Sequence, residues 1–257
     1  MTASRVRVYK VGGPALEDPA LLTALARELK AGTGHAVVVH GGGRRIEQTL
    51  RALAIESRFI DGRRETSPAA MEVVEMVLSG AVNKSLAAGL TQAGTPAVGL
   101  SGRDAGIVRA RVHPGLGRVG IPERVDPAPL RALWAAGLLP VLSPVAAGPG
   151  GEALNVNADE VALAVASALG AQALVYLSDV DGVRAAAGPV LTLSAAEAER
   201  LVQDGTIAGG MSLKVRVALE AASAGIPEVT IAGRARLTGG FPGTRITGGA
   251  SAAEARP

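Results

Sequence analysis

The stretch Ala36-Val37-Val38-Val39-His40-Gly41-Gly42-Gly43-Arg44-Arg45-Ile46 passes from an apolar run into a glycine triplet and on toward a helix. A short β-branched run bounded by glycine reads as a buried strand. Ile46 and Leu50 then recur at helical spacing, so the triplet joins a strand end to a helix start. The same logic appears upstream. Residues 5–11 alternate as a short strand with Val6, Val8 and Lys10 on one face, and Gly12-Gly13 closes it.

Strands and helices alternate outward from these two sites. The spacing predicts a helix from Asp18-Pro19 through Leu21, Leu22, Leu25 and Leu29 to a stop at Gly32. A longer one starts at Ser67-Pro68 and carries Val74, Val77, Leu78, Ala81, Val82 and Leu86 along one stripe. Asp126-Pro127 opens another, ended by Gly137, and further helices fall over 159–169, 194–203 and 211–224. Strands are expected over 97–100, 139–142, 173–177 and 228–232, the last being the final clear strand. Residues 107–113 and 118–125 read as a hairpin turned at Pro114-Gly115. This alternation predicts an α/β fold with a largely parallel sheet, and 247–257 reads as a disordered small-residue tail.

The chain has 257 residues, enough for one large domain or two joined lobes at roughly 150 residues per domain. Charged residues make up 19% and the hydrophobic set 48%, which argues for a filled core and against disorder. Cysteine is absent, which removes disulfides, thiolate chemistry and zinc–thiolate sites. The 3 histidines are scattered and suggest no metal site. The few aromatics and the net charge of +3 argue against a nucleic-acid platform and leave a mild bias toward anionic ligands. Residues 161–178 and 132–151 lack charge, but Gly170 divides the first, and Pro140, Pro144 and Pro149 interrupt the second. They read as core segments of a cytoplasmic protein, not as membrane spans.

Gly115-Leu-Gly117-Arg-Val-Gly120 matches a dinucleotide fingerprint in letters only, because no helix opens within it; it reads as a turn. No P-loop and no nucleophile-elbow motif occurs. The glycine sites at the two strand ends are different. In open α/β sheets ligands bind beyond the carboxyl ends of strands, where glycine lets amides approach an anion. Lysine placement adds to this, since only Lys10, Lys30, Lys84 and Lys214 occur among 26 cations. Lys30 suits a helix C-terminus and Lys84 a solvated helix face. Lys10 ends a buried strand, and Lys214 sits in a first helical turn, where the dipole disfavours it and an anion nearby is implied. Asn155-Val-Asn157-Ala-Asp159 precedes a helix, so Asn157 or Asp159 alone could be only a cap, and Ser178-Asp179-Val-Asp181-Gly182-Val183 follows another strand end.

Taken together, residues 5–246 resemble the amino-acid kinase superfamily and, within it, the N-acetylglutamate kinases. The resemblance rests on Val8-Tyr-Lys-Val-Gly-Gly13, Val39-His-Gly-Gly-Gly43, Phe59-Ile-Asp-Gly-Arg-Arg64, Met71-Glu-Val-Val-Glu-Met-Val-Leu78 with Val82-Asn-Lys84, Asn155-Val-Asn-Ala-Asp159, Leu177-Ser-Asp-Val-Asp-Gly182 and Gly210-Met-Ser-Leu-Lys214, in that order. It implies a three-layer αβα sandwich with a central, mostly parallel sheet. Residues 1–170 would bind acetylglutamate and dimerise, and residues 171–257 would bind nucleotide.

The implied reaction moves the γ-phosphoryl group of MgATP to the side-chain carboxylate of N-acetyl-L-glutamate, with no tightly bound cofactor and Mg²⁺ held mainly by ATP. Lys10 and Lys214 would flank the transferring group, and Asp159 would orient them. The amides of Gly13, Gly42 and Gly43 would cradle oxygens. Arg64 would hold the α-carboxylate, Asn155 would bind near the acetamido end, and Asn157 would also bind substrate. Asp179, Val180, Asp181, Gly182, Val183, Thr206, Ile207, Ala208, Gly210 and Met211 would frame the nucleotide. Between Ala232 and Gly243 such kinases have a helix, where this chain has a short glycine-rich segment.

The resemblance also implies a homodimer through the central sheet and the long helix near 67–90. Met1 to Ser4 alone precede the first strand, so the expectation is a dimer without the ring-forming helix of arginine-inhibited members. One rival reading is a kinase for aminoadipate on an acidic carrier protein, to which Arg44, Arg45, Arg51, Arg58 and Arg63 would be suited. A non-catalytic amino-acid-binding regulator is another, whose mark would be loss of Lys10, Lys214 or Asp159.

Overall fold

The computed structural model describes residues 5–12, 19–186 and 188–248. In chain order the first half forms β1 (Val6–Val11), α1 (Pro19–Ala31), β2 (His35–His40), α2 (Gly43–Ala52), β3 (Phe59–Ile60), β4 (Arg63–Arg64), α3 (Pro68–Glu75), a π-helical stretch (Met76–Val82), α4 (Asn83–Gln92) and β5 (Ala97–Ser101). There follow β6 (Val108–Val112), β7 (Val119–Val125), α5 (Ala128–Ala135), β8 (Leu139–Ser143), β9 (Val145–Ala147), β10 (Ala153–Val156) and α6 (Ala158–Leu169). The second half adds β11 (Ala173–Leu177), β12 (Arg184–Ala185), β13 (Gly188–Pro189), β14 (Thr192–Ser194), α7 (Ala195–Gln203), α8 (Gly210–Ser223), β15 (Glu228–Ala232), α9 (Arg234–Leu237) and β16 (Thr244–Thr247).

One sheet runs through the molecule in the order β14-β16-β15-β11-β1-β2-β8-β5. From β15 to β5 every neighbour is parallel, while β16 pairs antiparallel with β15 and β14 pairs parallel with β16. Alternate residues of the inner strands feed two cores. Val8, Val39, Leu174 and Ile231 pack with Val161, Val165, Val215 and Ala218 of α6 and α8. Tyr9, Val38, Val141 and Val175 pack with Leu25 and Leu29 of α1 and Leu86 and Leu90 of α4. Both faces of the strands are thus covered, which is why they read as near-continuous apolar runs. The result is the expected three-layer αβα sandwich. The short strands β6, β7, β9 and β10 close on one another beside it.

Several helix starts follow from local chemistry. Ser67 Oγ accepts from the Ala70 amide at 3.1 Å, and Ser194 Oγ accepts from the Glu197 amide at 3.3 Å. Gly115 and Gly117 lie in the turn between β6 and β7 with φ of 78° and 69°, as the turn reading of that motif requires.

Three features differ from the expectations. The helix from Pro68 does not keep one period: its π-helical stretch inserts an extra residue, so that after Val74, Val77 and Leu78 the buried positions resume at Asn83, Leu86, Ala87 and Leu90. Ala81, expected on the stripe, is exposed. The helical run Pro68–Gln92 is long and apolar enough to cross a membrane, and its Val73, Val74, Leu78, Leu86 and Leu90 are packed in the cores of this fold. Second, β15 is not the last strand: Thr247, expected in the tail, ends β16, while 249–257 lie outside the described residues. Third, the segment between Ala232 and Gly243 holds a single helical turn, α9.

Candidate functional site

Strand alternation puts Lys10 on the same face as Val6 and Val8, toward α6 and α8. Those helices supply the other two charges. Lys10 Nζ lies 2.9 Å from Asp159 Oδ1, and Lys214 Nζ lies 3.5 Å from Asp159 Oδ2. Lys10, Asp159 and Lys214 are 8%, 7% and 9% exposed, so all three charges are buried. Burial raises the Asp159 carboxyl, but the two lysines outweigh it and hold it below the usual aspartate value. Burial lowers Lys214, with the neighbouring Lys10 charge adding to that shift and Asp159 opposing it. Two ammonium groups against one carboxylate leave surplus positive charge in a low-dielectric site, which an incoming anion can neutralise. Asn157, not Asp159, is the cap of α6: its Oδ1 accepts from the Asp159 amide at 2.8 Å.

The glycines shape the floor. Gly12 donates to Leu177 O at 3.2 Å, and a Cβ on it would lie 3.0 Å from Lys10 Nζ. Gly41 donates to Val11 O at 2.8 Å, which joins the two strand-end loops. A Cβ on Gly42 would sit 2.7 Å from Leu78 Cδ2, whereas Gly43 faces open space. Gly13 lies outside the described residues.

Lys10, Asp159, Gly42 and Gly43 line a cleft of about 180 Å³ together with Arg64, Asn155 and Asn157, whereas Lys214 and Gly12 are not in its lining. Arg64 is buried, donates to Glu47 Oε2 at 2.7 Å and to Ser57 Oγ at 3.2 Å, and lies over the Phe59 ring at 4.5 Å. Asn155 Nδ2 donates to Thr66 Oγ1 at 3.0 Å. Arg63 pairs with Glu160, which ties the β3–β4 ribbon to the start of α6. Residues 97 apart make that contact, and no local sequence pattern announces it. Burial raises Glu160, with Arg63 opposing it. Arg51 and Arg58, expected to face an acidic partner together with Arg63, are also tied to neighbours, Glu47 and Glu65.

The ten residues expected to frame a nucleotide lie elsewhere. Asp179, Val180, Asp181, Gly182 and Val183 follow β11; Asp181 Oδ1 accepts from the Ala235 amide at 2.9 Å, and the Val183 amide donates to Thr244 Oγ1 at 2.8 Å. Thr206 donates its amide to Asp204 Oδ1 at 2.9 Å, Ile207 is buried, and Ala208 accepts from the Met211 amide at 3.2 Å. Gly210 opens α8 and, with Phe59, Gly62 and Leu213, lines a second depression. None of the ten lines the Lys10 cleft. Among the described residues no cluster of three or more His, Asp or Glu side chains is placed to hold a metal ion.

The chain is similar to known proteins over most of its length. The model of the amino acid kinase family matches residues 5–233. An acetylglutamate kinase of Rubrobacter xylanophilus is 43% identical over 244 residues, covering 94% of this chain and 95% of that protein. The structure of smu.665 from Streptococcus mutans superposes with a TM-score of 0.82 at 26% identity, covering 95% of this chain and 99% of that one. The N-acetylglutamate synthase of Neisseria gonorrhoeae, solved with coenzyme A and N-acetyl-glutamate, gives a TM-score of 0.80 at 26% identity over 96% of this chain and 60% of that one. With the family model spanning most of its length and a buried lysine–aspartate–lysine cluster at the carboxyl ends of its strands, this chain belongs to the amino acid kinase family.

Proposed function

We propose that this chain transfers the γ-phosphoryl group of ATP to the side-chain carboxylate of N-acetyl-L-glutamate, giving N-acetyl-L-glutamyl 5-phosphate and ADP, a step of arginine biosynthesis. The observation that carries the reading is the pair of buried lysines held by one aspartate, of which Lys10 and Asp159 line a cleft floored by glycine. The Rubrobacter relative, named for this activity, supports the acceptor.

In this reading a carboxylate oxygen of the acceptor forms a bond to the γ-phosphorus as the bond to the ADP oxygen breaks. The acceptor is already ionised near neutral pH, so no general base is needed. Catalysis is then positioning and charge stabilisation. Lys10 and Lys214 neutralise the charge developing on the transferred group, and Asp159 orients both. The amides of Gly13, Gly42 and Gly43 cradle phosphoryl and carboxylate oxygens. Arg64 grips the α-carboxylate, Asn155 binds near the acetamido end, and Asn157 also binds substrate. ATP, carrying Mg²⁺ on its own phosphates, is framed by Asp179–Val183, Thr206, Ile207, Ala208, Gly210 and Met211. Residues 1–170 form the acceptor-binding lobe and residues 171–257 the nucleotide lobe of one continuous sheet.

We further infer a cytoplasmic homodimer joined through the Pro68–Gln92 helix, on which Met76 is 59% exposed and Gly80 faces open space. The carrier-linked rival loses support because three of its five arginines have acidic neighbours.

The test is coupled ADP release across a panel of acylated amino acids and carrier-linked aminoadipate, with hydroxylamine trapping of the acyl phosphate. N-acetyl-L-glutamate should give the highest kcat/KM. Release only with the carrier-linked acceptor, or ATP binding without acceptor-dependent ADP release, would overturn the assignment.

A further inference from the structure

We infer that His40 and Asn83 are a positioning pair that sets the glycine loop of the cleft through a proton fixed on His40 Nδ1. The inference rests on the reading above, in which the Gly42 and Gly43 amides receive the transferring group.

His40 closes β2 and Asn83 opens α4, and both side chains are fully buried. Asn83 Nδ2 donates to Val141 O at 2.9 Å and to Leu100 O at 3.2 Å, carbonyls of β8 and β5. Asn83 Oδ1 accepts from Lys84 Nζ at 3.3 Å, and Lys84 Nζ also donates to Gly99 O at 2.6 Å. Two carbonyls on one side and an ammonium on the other allow only one orientation of the amide. Its NH₂ group therefore faces His40 Nε2, 3.1 Å away. The amide has two hydrogens for three acceptors, so one is shared between Nε2 and the Leu100 carbonyl. On the other side of the ring the Gly41 carbonyl can only accept, and a neutral imidazole holds one proton, so Nε2 carries none. The ring proton is on Nδ1, which donates to Gly41 O at 2.8 Å. Burial, with the Lys84 charge adding to it and the bond to Gly41 opposing, lowers the ring to about 4, so it stays neutral at working pH.

The consequence runs through one planar peptide. Fixing the Gly41 carbonyl fixes the Gly42 N–H on the opposite edge of the same plane. Among the described residues neither the Gly42 nor the Gly43 amide has a hydrogen-bond partner, which leaves both for a ligand. The π-helical stretch makes the arrangement possible. Its extra residue carries Asn83 round to the buried face, and its Leu78 and Val82 press on Gly42. Lys84, exposed as expected, also reaches back to the sheet and orients the amide.

Two single variants separate the two bonds of the imidazole. His40→Asn keeps a donor near the position of Nδ1 and loses the contact to Asn83. His40→Gln keeps an acceptor near the position of Nε2 and loses the donor to Gly41. His40→Asn should hold kcat within about threefold, while His40→Gln should lose about tenfold or more, with the KM for ATP unchanged in both. Equal losses in the two variants, or wild-type turnover in His40→Gln, overturn the inference. Long-range ¹H–¹⁵N spectra of the wild-type protein test it without any variant. A neutral Nδ1–H tautomer from about pH 5.5 to about pH 8.5 supports the pair, and an Nε2–H tautomer overturns it. Wild-type protein that shows the Nδ1–H tautomer but releases no ADP overturns the activity and keeps the pair.

Discussion

Lys10 and Lys214 are each less than a tenth exposed and pair with the equally buried Asp159, whereas Asp179, Val180 and Asp181 lie open beyond β11, and Thr206 and Ala208 before α8 and Gly210 at its start lie open too. The first region holds its charges against helix and strand, in contacts that exist without any ligand. The second offers short polar side chains and backbone groups, several of them bonded within local turns. A charge that acts on a developing transition state is most effective when already oriented, and a buried charge persists only when paired. A surface that grips a flexible nucleotide needs neither. The comparison therefore predicts that changes in the first region act on turnover and changes in the second on nucleotide affinity.

The largest effects should follow from breaking the charge cluster. Lys10→Arg, Lys214→Arg and Asp159→Asn should each lower kcat by about 10²–10³ with little change in either KM. Coupled ADP release at saturating substrates measures this, and wild-type turnover in Asp159→Asn would reduce that residue to a structural role.

The next effect concerns acid stability. The His40 ring takes a proton near 4 in the fold and near its ordinary 6.5 when unfolded. Between those values the unfolded chain binds the extra proton. The contribution is therefore complete above about 6.5 and declines as pH falls toward 4, by about 3 kcal/mol in all. Asp159 does not mask this, because its loss lies below the usual aspartate value of 3.8. Urea midpoints at stepped pH should fall more steeply for wild type than for His40→Asn; parallel curves would show that the ring is not buried neutral.

A third test sharpens the boundary inside the cleft. Arg64→Lys should raise the KM for N-acetyl-L-glutamate about tenfold and leave the KM for ATP alone, since an ammonium cannot form two parallel hydrogen bonds to a carboxylate. An equal loss for ATP would erase the distinction between the two regions. The smallest effect is expected in the open region. Asp181→Ala removes the acceptor for the Ala235 amide and should raise the KM for ATP about threefold, with kcat preserved. A fall in kcat to the level of the lysine variants would contradict the comparison.

Most inner strands were legible because each is buried on both faces and bounded by glycine or by a capping side chain, as at Ala173–Leu177 and Glu228–Ala232. Lys10 and Lys214 stood out because the chain otherwise carries its positive charge as arginine, and the positions they take are costly without an anion. The missing pieces share a cause. The π-helical stretch leaves the composition of a helix untouched and changes only its phase, so the stripe through Ala81 looked continuous. The strands β14 and β16 are short, and each pairs with a segment far along the chain. Arg63 with Glu160 and His40 with Asn83 are contacts between distant residues, invisible to any local pattern.

The position of β1 has a consequence in time. It is made well before β11, yet it lies inside the sheet, paired on one side with β2 and on the other with β11. The Val6 amide and its Gln172 acceptor are separated by 166 residues. At a synthesis rate of ~5–20 residues per second, roughly ten to thirty seconds pass between them on the ribosome. Throughout that interval one edge of β1, rich in valine and without proline, has no partner. Lys10 also waits for Asp159, its counter-charge from α6. The nascent chain thus carries an open, apolar strand edge until the middle of the sheet emerges to cover it. Occupancy by a chaperone should be greatest in that window and fall once β11 clears the exit tunnel.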